Sequence, residues 1–262
     1  MNSCPDAPCK IELRNVSKGF KVNGVPLKAL EDINLFAGAG EFVSIVGPSG
    51  CGKSTLFNII CGLLEADAGQ VLLDGEIPPR RVGAVGYMPQ KDLLLPWRSV
   101  LDNVILGPEV RGEDLAASRR EARELLPMFG LEGFADVYPA LLSGGMKQRA
   151  ALLRTFLTHR EVLLLDEPFG ALDALTRMEL QEWLLDVWAR FRKTILFITH
   201  DVDEAVFLSD RVYVLTPRPG HVKLAQAVSL PRPRRRAAVA SSEFAALRYQ
   251  LLDALSSREN AS

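Results

Sequence analysis

One stretch, EFVSIVGPSGCGKSTLFNIICGLL (residues 41–64), constrains the fold more than any other part of the chain. An apolar run leads directly into closely spaced glycines, and apolar residues then recur at helical spacing. The glycine segment fits the pattern G-x-x-x-x-G-K-[ST] at Gly47, Gly52, Lys53 and Ser54. Glycines let successive backbone N–H groups turn toward an anion, and the following helix adds the positive end of its dipole. The stretch therefore predicts a strand, a phosphate-binding loop and a helix.

The residue types in this loop predict which part of a bound nucleotide each residue contacts. Lys53 is expected to reach the β and γ phosphates, the Ser54 hydroxyl to bind Mg²⁺, and Thr55 to contact the α phosphate. The predicted contact set is Gly47, Pro48, Ser49, Gly50, Cys51, Gly52, Lys53, Ser54 and Thr55.

A second apolar run, in VLLLDEPFGALD, ends in two acidic residues. Ligands of open α/β folds bind at the carboxyl ends of the strands, and Asp166 comes at such an end. We expect Asp166 to hold Mg²⁺ through water, because this small cation keeps part of its hydration shell. Glu167 follows immediately and is expected to orient or deprotonate an attacking water.

The stretch LLSGGMKQRA (residues 141–150) has the composition of another phosphate site. Ser143 is placed to cap a helix, while Gly144 and Gly145 expose their amides at its positive end. The intervening residues from about 92 to 160 are largely helical and charged, so they are expected to hold this site away from the glycine loop of the same chain.

The order of the elements predicts an α/β fold. Short strands and an Asn-Gly turn over residues 10–36 predict a small antiparallel region. Strand, helix, strand after residue 160 predicts a mainly parallel sheet covered by helices. The expected division is a nucleotide-binding core at 10–91 and 161–225, a helical subdomain at 92–160, and a basic linker with a helix at 226–262.

Composition excludes several classes of protein. The chain has 262 residues and a net charge of −1, and its longest apolar runs are far shorter than the roughly 20 residues that span a bilayer. The amino terminus resembles no secretion signal, which favours the cytosol and reduced cysteines.

Together these motifs resemble the ATP-binding subunits of ABC (ATP-binding cassette) transporters, over nearly the whole chain. The resemblance implies a P-loop cassette with a RecA-like core, an antiparallel β region and a helical subdomain. It implies ATP and Mg²⁺ as ligands and a head-to-tail dimer. In that dimer the signature residues of one subunit, Ser143, Gly144, Gly145 and Gln148, act on the ATP of the other.

The same resemblance assigns further residues. Gln90 in GYMPQ would bind Mg²⁺ and sense a membrane subunit, and His200 in FITHD would be the switch histidine at the γ phosphate. Asp173 would be the D-loop aspartate. Phe20 would stack on adenine, although a phenylalanine near a hairpin is often simply a core residue. Catalysis would thus rest on Glu167, His200 and Gln90.

The finer resemblance, in KDLLLPWRSVLDNV and VSLPRPR, is to importers of nitrate, sulfonates or taurine, a group that includes importers of pyrimidine vitamin precursors. It implies integral permease subunits, an extracytoplasmic solute-binding protein as an indirect partner, and a location at the cytoplasmic face of the membrane. Trp97 would either contact the permease or pack under the helical insertion.

The alternative is a non-transport ATPase that acts on nucleic acid through the four arginines between Arg232 and Arg236. A charge run this short is more often a solvated surface, so no nucleic acid is expected as a partner.

Overall fold

The computed structural model describes residues 9–256, so Cys4 lies outside the described residues. The strands are β1 (Cys9–Val22), β2 (Val25–Gly38), β3 (Phe42–Val46), β4 (Ala68–Leu73), β5 (Gly86–Met88), β6 (Val162–Asp166), β7 (Thr194–Ile198), β8 (Arg211–Leu215) and β9 (Val222–Ala227). The helices are α1 (Lys53–Ile60), α2 (Val100–Val104), α3 (Leu106–Val110), α4 (Leu115–Leu125), α5 (Gly144–Phe156), α6 (Ala174–Phe191), α7 (Val202–Leu208) and α8 (Ser242–Ser256). Short 3-10 helices span Pro139–Leu141 and Arg236–Ala240.

A three-stranded antiparallel sheet, in the order β2-β1-β4, forms the predicted antiparallel region. β1 and β2 meet at Asn23 and Gly24, whose φ angles of 51° and 81° are those of a tight hairpin turn. The Asn-Gly prediction is therefore confirmed.

The larger sheet has the order β5-β6-β7-β3-β8-β9, and only β9 runs antiparallel to its neighbour. Its central strands are buried on both faces: Phe42 and Val46 of β3 belong to one hydrophobic cluster, while Val43 and Ile45 belong to the other. Continuous apolar runs are what such a doubly covered parallel sheet requires. This arrangement places the ends of β3, β6 and β7 side by side.

The helices α2 to α5 lie between β5 and β6 in the chain, as the helical pattern predicted. The capped helix α4, which begins after Asp114, is the amphipathic element of this insertion. Within the described residues, no helix is both long and apolar enough to cross a bilayer.

The carboxy-terminal segment differs from the expected solvated linker. β9 extends to Ala227, and Arg234 is only 2% exposed. The Arg234 guanidinium donates to backbone carbonyls at the end of α7 and in the linker, namely those of Val206, Phe207, Ser209, Val228 and Leu230. The neighbouring Arg232 pairs with Asp210 and lies 4.1 Å from the Trp188 ring centroid. Interpreting the run as solvated was therefore wrong for these two arginines, because the carbonyls at the end of α7 need donors.

The cysteines also differ in part from expectation. Cys51 and Cys61 are buried free thiols, and burial raises the pKa of Cys61 to about 12. Cys9, at the start of β1, is disulfide-bonded, contrary to the expectation of reduced cysteines throughout.

Candidate nucleotide site

The glycine loop joins β3 to α1, as the sequence predicted. Gly52 caps α1 with a φ of 106°, and a Cβ atom added there would lie 2.6 Å from Leu30 Cδ2. Gly50 also has a left-handed φ, of 77°. Because L-residues with side chains rarely adopt such angles, glycine at these positions is what lets the loop turn tightly into the helix.

Lys53 folds back over this loop rather than into solvent. Its ammonium donates to the carbonyls of Gly47 at 2.7 Å and Pro48 at 3.1 Å, and the residue is 7% exposed. These carbonyls hold the positive charge beside the loop, where a phosphate would compensate it.

A cavity of about 400 Å³ opens beside the loop. Residues of β1, β2, the loop, α1 and the ends of β5 and β6 line it, together with one residue from the β8–β9 loop: Phe20, Val22, Leu27, Ala29, Ser49, Gly50, Gly52, Lys53, Ser54, Thr55, Gln90, Glu167 and Arg218. Phe20 is 38% exposed, so it is a wall of this cavity rather than the core residue that was the alternative. An exposed aromatic face in a cavity suits a flat heterocycle.

Three polar side chains, distant in sequence, meet at one edge of the cavity. Glu167 Oε2 accepts a hydrogen bond from Gln90 Nε2 at 3.2 Å and lies 3.3 Å from His200 Nδ1. These residues follow β5, β6 and β7, which are adjacent in the sheet. The parallel strands therefore bring the three predicted catalytic residues together.

The backbone at Glu167 is unusual. Its φ is 45°, a left-handed value that is uncommon outside glycine, and its N–H donates to the Ile198 carbonyl at 3.0 Å. That bond fixes the residue to the end of β7, so the carboxylate is held beside His200. Such a conformation costs about 1–3 kcal/mol, and strained residues of this kind cluster at functional sites.

Asp166 ends β6 and is 5% exposed. Burial raises the pKa of its carboxyl, whereas hydrogen bonding to Ser54 and the nearby charge of Lys53 lower it. The Asp166 carboxylate, the Ser54 hydroxyl and the Gln90 amide all offer oxygen atoms. Mg²⁺ prefers such oxygen ligands. Among residues 9–256 no group of three or more His, Cys, Asp or Glu side chains could hold a metal alone. The residues thus fit a cation that shares its coordination with phosphate oxygens and water.

The signature serine lies outside this cavity. Ser143 caps α5 by accepting a hydrogen bond from the Met146 N–H at 3.3 Å, and both Ser143 and Gly144 are exposed while Gly145 is half-buried. Asp173 similarly caps α6, accepting from Leu175 N–H and Thr176 N–H. None of these residues lines the cavity of its own chain.

Gln148 does not share the position of Ser143. It is 7% exposed and lies against Leu165 and Phe169 at a small internal cavity. As the fifth residue of α5 it is turned away from the exposed helix end, so the structure does not place it where it could act on a partner's ATP. Helical periodicity directs Gln148 toward the core of its own subunit. This burial does not favour a contact with a partner's ATP, and the role given to Gln148 stays a prediction.

Two residues of the site were missed from the sequence. Tyr87, three positions before Gln90, lies close to Asp166, and burial raises the pKa of its phenol, which the Asp166 charge reinforces. Arg218 enters the cavity from the β8–β9 loop. Arg218 lies in the stretch TPRPG, whose composition is typical of a turn, and a turn alone does not indicate what its residues contact.

Comparison with known proteins agrees with this geometry. The sequence profile of the family described as ABC transporter matches residues 30–170. An uncharacterized ABC transporter ATP-binding protein of Methanocaldococcus jannaschii is 47% identical over 246 residues, which are 94% of this chain and 91% of that protein. The aliphatic sulfonates import ATP-binding protein SsuB of Bacillus cereus is 38% identical over 242 residues, which are 92% of this chain and 94% of that protein.

Solved structures show the same fold. The dimeric structure of MJ0796, an ABC transporter cassette, matches with a TM-score of 0.72 at 33% identity, covering 84% of this chain and 100% of that one. A dimeric post-hydrolysis state of that cassette, bound to ADP and Pi, matches with a TM-score of 0.71 at 31% identity and the same coverage. The predicted α/β P-loop cassette is thereby confirmed. The chain belongs to the ABC transporter family, as an ATP-binding subunit that hydrolyses ATP.

Proposed function

We propose that this chain is the ATPase subunit of an importer for a small solute, and that it hydrolyses Mg²⁺-ATP in a head-to-tail dimer. The solute class is that of nitrate, sulfonates, taurine or a pyrimidine vitamin precursor. The dimer is energised by ATP at two composite sites, each built from the cavity of one subunit and the signature residues of the other.

One observation carries the composite site. The exposed end of α5, with Ser143 as its cap, is an anion site by its geometry, yet it contributes nothing to the cavity of its own chain. A second subunit would supply the phosphate that this helix end lacks. The solved structures of a similar cassette are dimeric, which supports the association of two subunits.

The cluster around Glu167 supports the hydrolytic role. Glu167 would orient and deprotonate the attacking water, because its carboxylate is half-buried at the edge of the cavity. His200 and Gln90 hold that carboxylate in place and would face the γ phosphate. Lys53 would compensate charge on the β and γ phosphates as the bond breaks.

Asp166, Ser54 and Gln90 would hold Mg²⁺ beside the phosphates, through their carboxylate, hydroxyl and amide oxygens. Bound magnesium neutralises charge that develops on the phosphate oxygens.

The segment after Gln90 supports a membrane partner. Trp97 is 71% exposed and Leu93 is 57% exposed, so the alternative of a tryptophan packed under the helices is wrong. Exposed aromatic anchors are typical of the centres of interfaces. We assign this surface to integral permease subunits, which places the chain at the cytoplasmic face of the membrane and links it indirectly to a solute-binding protein. The 38% identity to a sulfonate import ATPase supports the solute class.

The division into a core at 10–91 and 161–225, a helical subdomain at 92–160 and a carboxy-terminal segment at 226–262 remains part of the proposal. The helices α2 to α5 support the helical subdomain, although β9 crosses the last boundary by two residues.

The nucleic-acid alternative has weaker support. Of its four arginines, Arg234 is buried, Arg232 pairs with Asp210, Arg235 with Asp186, and Arg236 with Glu182. Co-purification with a multi-span membrane protein would support the importer. The importer proposal would be overturned if nucleic acid stimulated the ATPase activity and if replacing the exposed arginines abolished that stimulation.

The composite site is tested with Ser143→Arg, made in a Glu167→Gln background that retains bound ATP. A large cation at the end of α5 is expected to block ATP-driven dimerisation while leaving ATP binding by the monomer unchanged, measured by light scattering and equilibrium binding. Ser242→Arg, at the exposed start of α8, is the matched control and should dimerise normally. Normal dimerisation of the Ser143→Arg protein would refute the composite site.

A further inference from the structure

Arg218 lies where the loop after β8 meets the glycine loop. Its Nη2 and Nε atoms donate to the Gly50 carbonyl oxygen at 2.8 and 3.2 Å, and the side chain lines the same cavity as Lys53. Among the described residues 9–256 that line this cavity, only these two carry a positive charge. The cavity therefore has a second cation that the sequence motifs do not include.

The loop that carries Arg218 is fixed in place. Gly220 N–H donates to the Ala29 carbonyl at 2.9 Å, and the Gly220 carbonyl accepts from Glu31 N–H at 2.9 Å. A Cβ atom added at Gly220 would lie 2.1 Å from the Cys51 carbonyl oxygen, so the loop backbone rests directly on the glycine loop. Arg218 thus starts from a rigid position beside the phosphate-binding residues.

The contact of Arg218 helps to hold the peptide unit between Gly50 and Cys51, which is hydrogen-bonded at both its carbonyl and its N–H. The Gly50 carbonyl is held by Arg218, and the N–H of the same peptide, on Cys51, donates to the Pro48 carbonyl at 3.3 Å. Gly50 itself has a left-handed φ and no side chain to limit other conformations. Arg218 supplies the restraint that Gly50 lacks.

The Arg218 guanidinium also has N–H donors that the Gly50 contact does not use. An arginine has five N–H donors, and this one uses its Nε and one Nη on Gly50. It forms no ion pair with any residue among 9–256 whose contacts are described, and it is exposed. Its charge is therefore available to an anion in the cavity.

We propose that Arg218 is a positioning residue for the nucleotide phosphates: it holds the glycine loop through Gly50 and adds positive charge at the cavity rim. The proposal rests on the nucleotide site described above and adds a residue from outside its motifs. Because the described hydrogen bonds of Arg218 go to the glycine loop and not to Glu167, loss of Arg218 weakens ATP binding and leaves the chemical step nearly intact.

The test compares Arg218→Ala and Arg218→Lys with Arg235→Ala, which removes an exposed arginine that pairs with Asp186 and does not line the cavity. For Arg218→Ala we expect a rise of about tenfold or more in the Kd and KM for ATP, the scale of a hydrogen bond to a charged group, with kcat within about twofold. Arg218→Lys should restore part of the affinity, because it keeps the charge without the two-pronged bond. Binding of adenosine should be unchanged in all three variants.

Two results would overturn the role. One is an ATP affinity of Arg218→Ala equal to that of the parent, and the other is an equal loss for adenosine and ATP, which would indicate general damage to the cavity. Lys53→Ala separates this failure from failure of the site itself. If Lys53→Ala loses ATP while Arg218→Ala does not, only the proposal for Arg218 is wrong, and if both retain ATP, the proposed nucleotide site is wrong.

Discussion

Replacing Glu167 by glutamine tests the chemistry of the site most directly. The new side chain has the same size, and its amide oxygen can still accept the Gln90 hydrogen bond that now measures 3.2 Å. The left-handed backbone and the bond from Glu167 N–H to Ile198 are independent of the side-chain charge. The substitution therefore removes the base and leaves the structure around it.

The expected loss follows from the role. A positioned general base contributes about 10²- to 10⁴-fold to a rate, so kcat should fall by that factor, equivalent to a barrier about 2.7–5.4 kcal/mol higher. ATP binding should persist, because Lys53 and the loop amides are unchanged. Loss of a negative charge beside the γ phosphate should also favour the ATP-bound dimer.

Phosphate release under saturating ATP measures kcat, and equilibrium binding and light scattering measure affinity and association. Glu161→Gln is the matched control, since Glu161 precedes the same strand at its opposite end and pairs with Lys193 on the surface. It should keep the parental rate. Turnover by Glu167→Gln at the parental rate, or an equal loss in Glu161→Gln, would refute the assignment of Glu167 as the base.

Three further predictions concern other parts of the chain. Tyr213→Phe should lower the free energy of unfolding in urea by about 1–3 kcal/mol, because the buried hydroxyl bonds both the N–H and the carbonyl of Phe36 at 3.1 Å and its loss leaves them unpaired; an unchanged midpoint would contradict this. Glu204 accepts from Gln181, and burial raises its pKa, so the folded state binds the proton more tightly and the parent should lose stability as pH rises from about 4.3 through the folded-state pKa. Glu204→Gln should lack that component, and equal pH profiles of unfolding in both proteins would argue against it. Trp97→Ala should leave the ATPase activity of the isolated subunit unchanged but weaken its co-purification with the permease, and undiminished recovery would remove Trp97 from that interface.

Several elements were determined by the sequence because their cause is local. The loop between β3 and α1 follows from glycines that permit left-handed angles between an apolar run and a helix. The Asn23-Gly24 hairpin follows from turn geometry in the same way. Asp166 could be placed at the carboxyl end of a buried strand from the apolar run alone.

Other features depended on contacts between distant parts of the chain. Gln90 and His200 lie 77 and 33 positions from Glu167, and they meet it only because β5, β6 and β7 are neighbours in the sheet. The pattern of residues around Gln148 did not reveal that it faces the core.

The contacts of Arg218 and Arg234 also could not be predicted from the sequence. No sequence motif included Arg218, and Arg234 belongs to a run that was expected to be solvated. In the structure Arg218 donates to the Gly50 carbonyl of the glycine loop, and Arg234 is buried against carbonyls at the end of α7. Both arginines donate to backbone carbonyls that would otherwise lack a hydrogen-bond partner. Every residue has such a carbonyl, so the sequence does not indicate which of them will need a donor, and only the folded chain brings them near an arginine. The sequence determined which chemistry the protein carries, and the tertiary structure decided which side chains surround it.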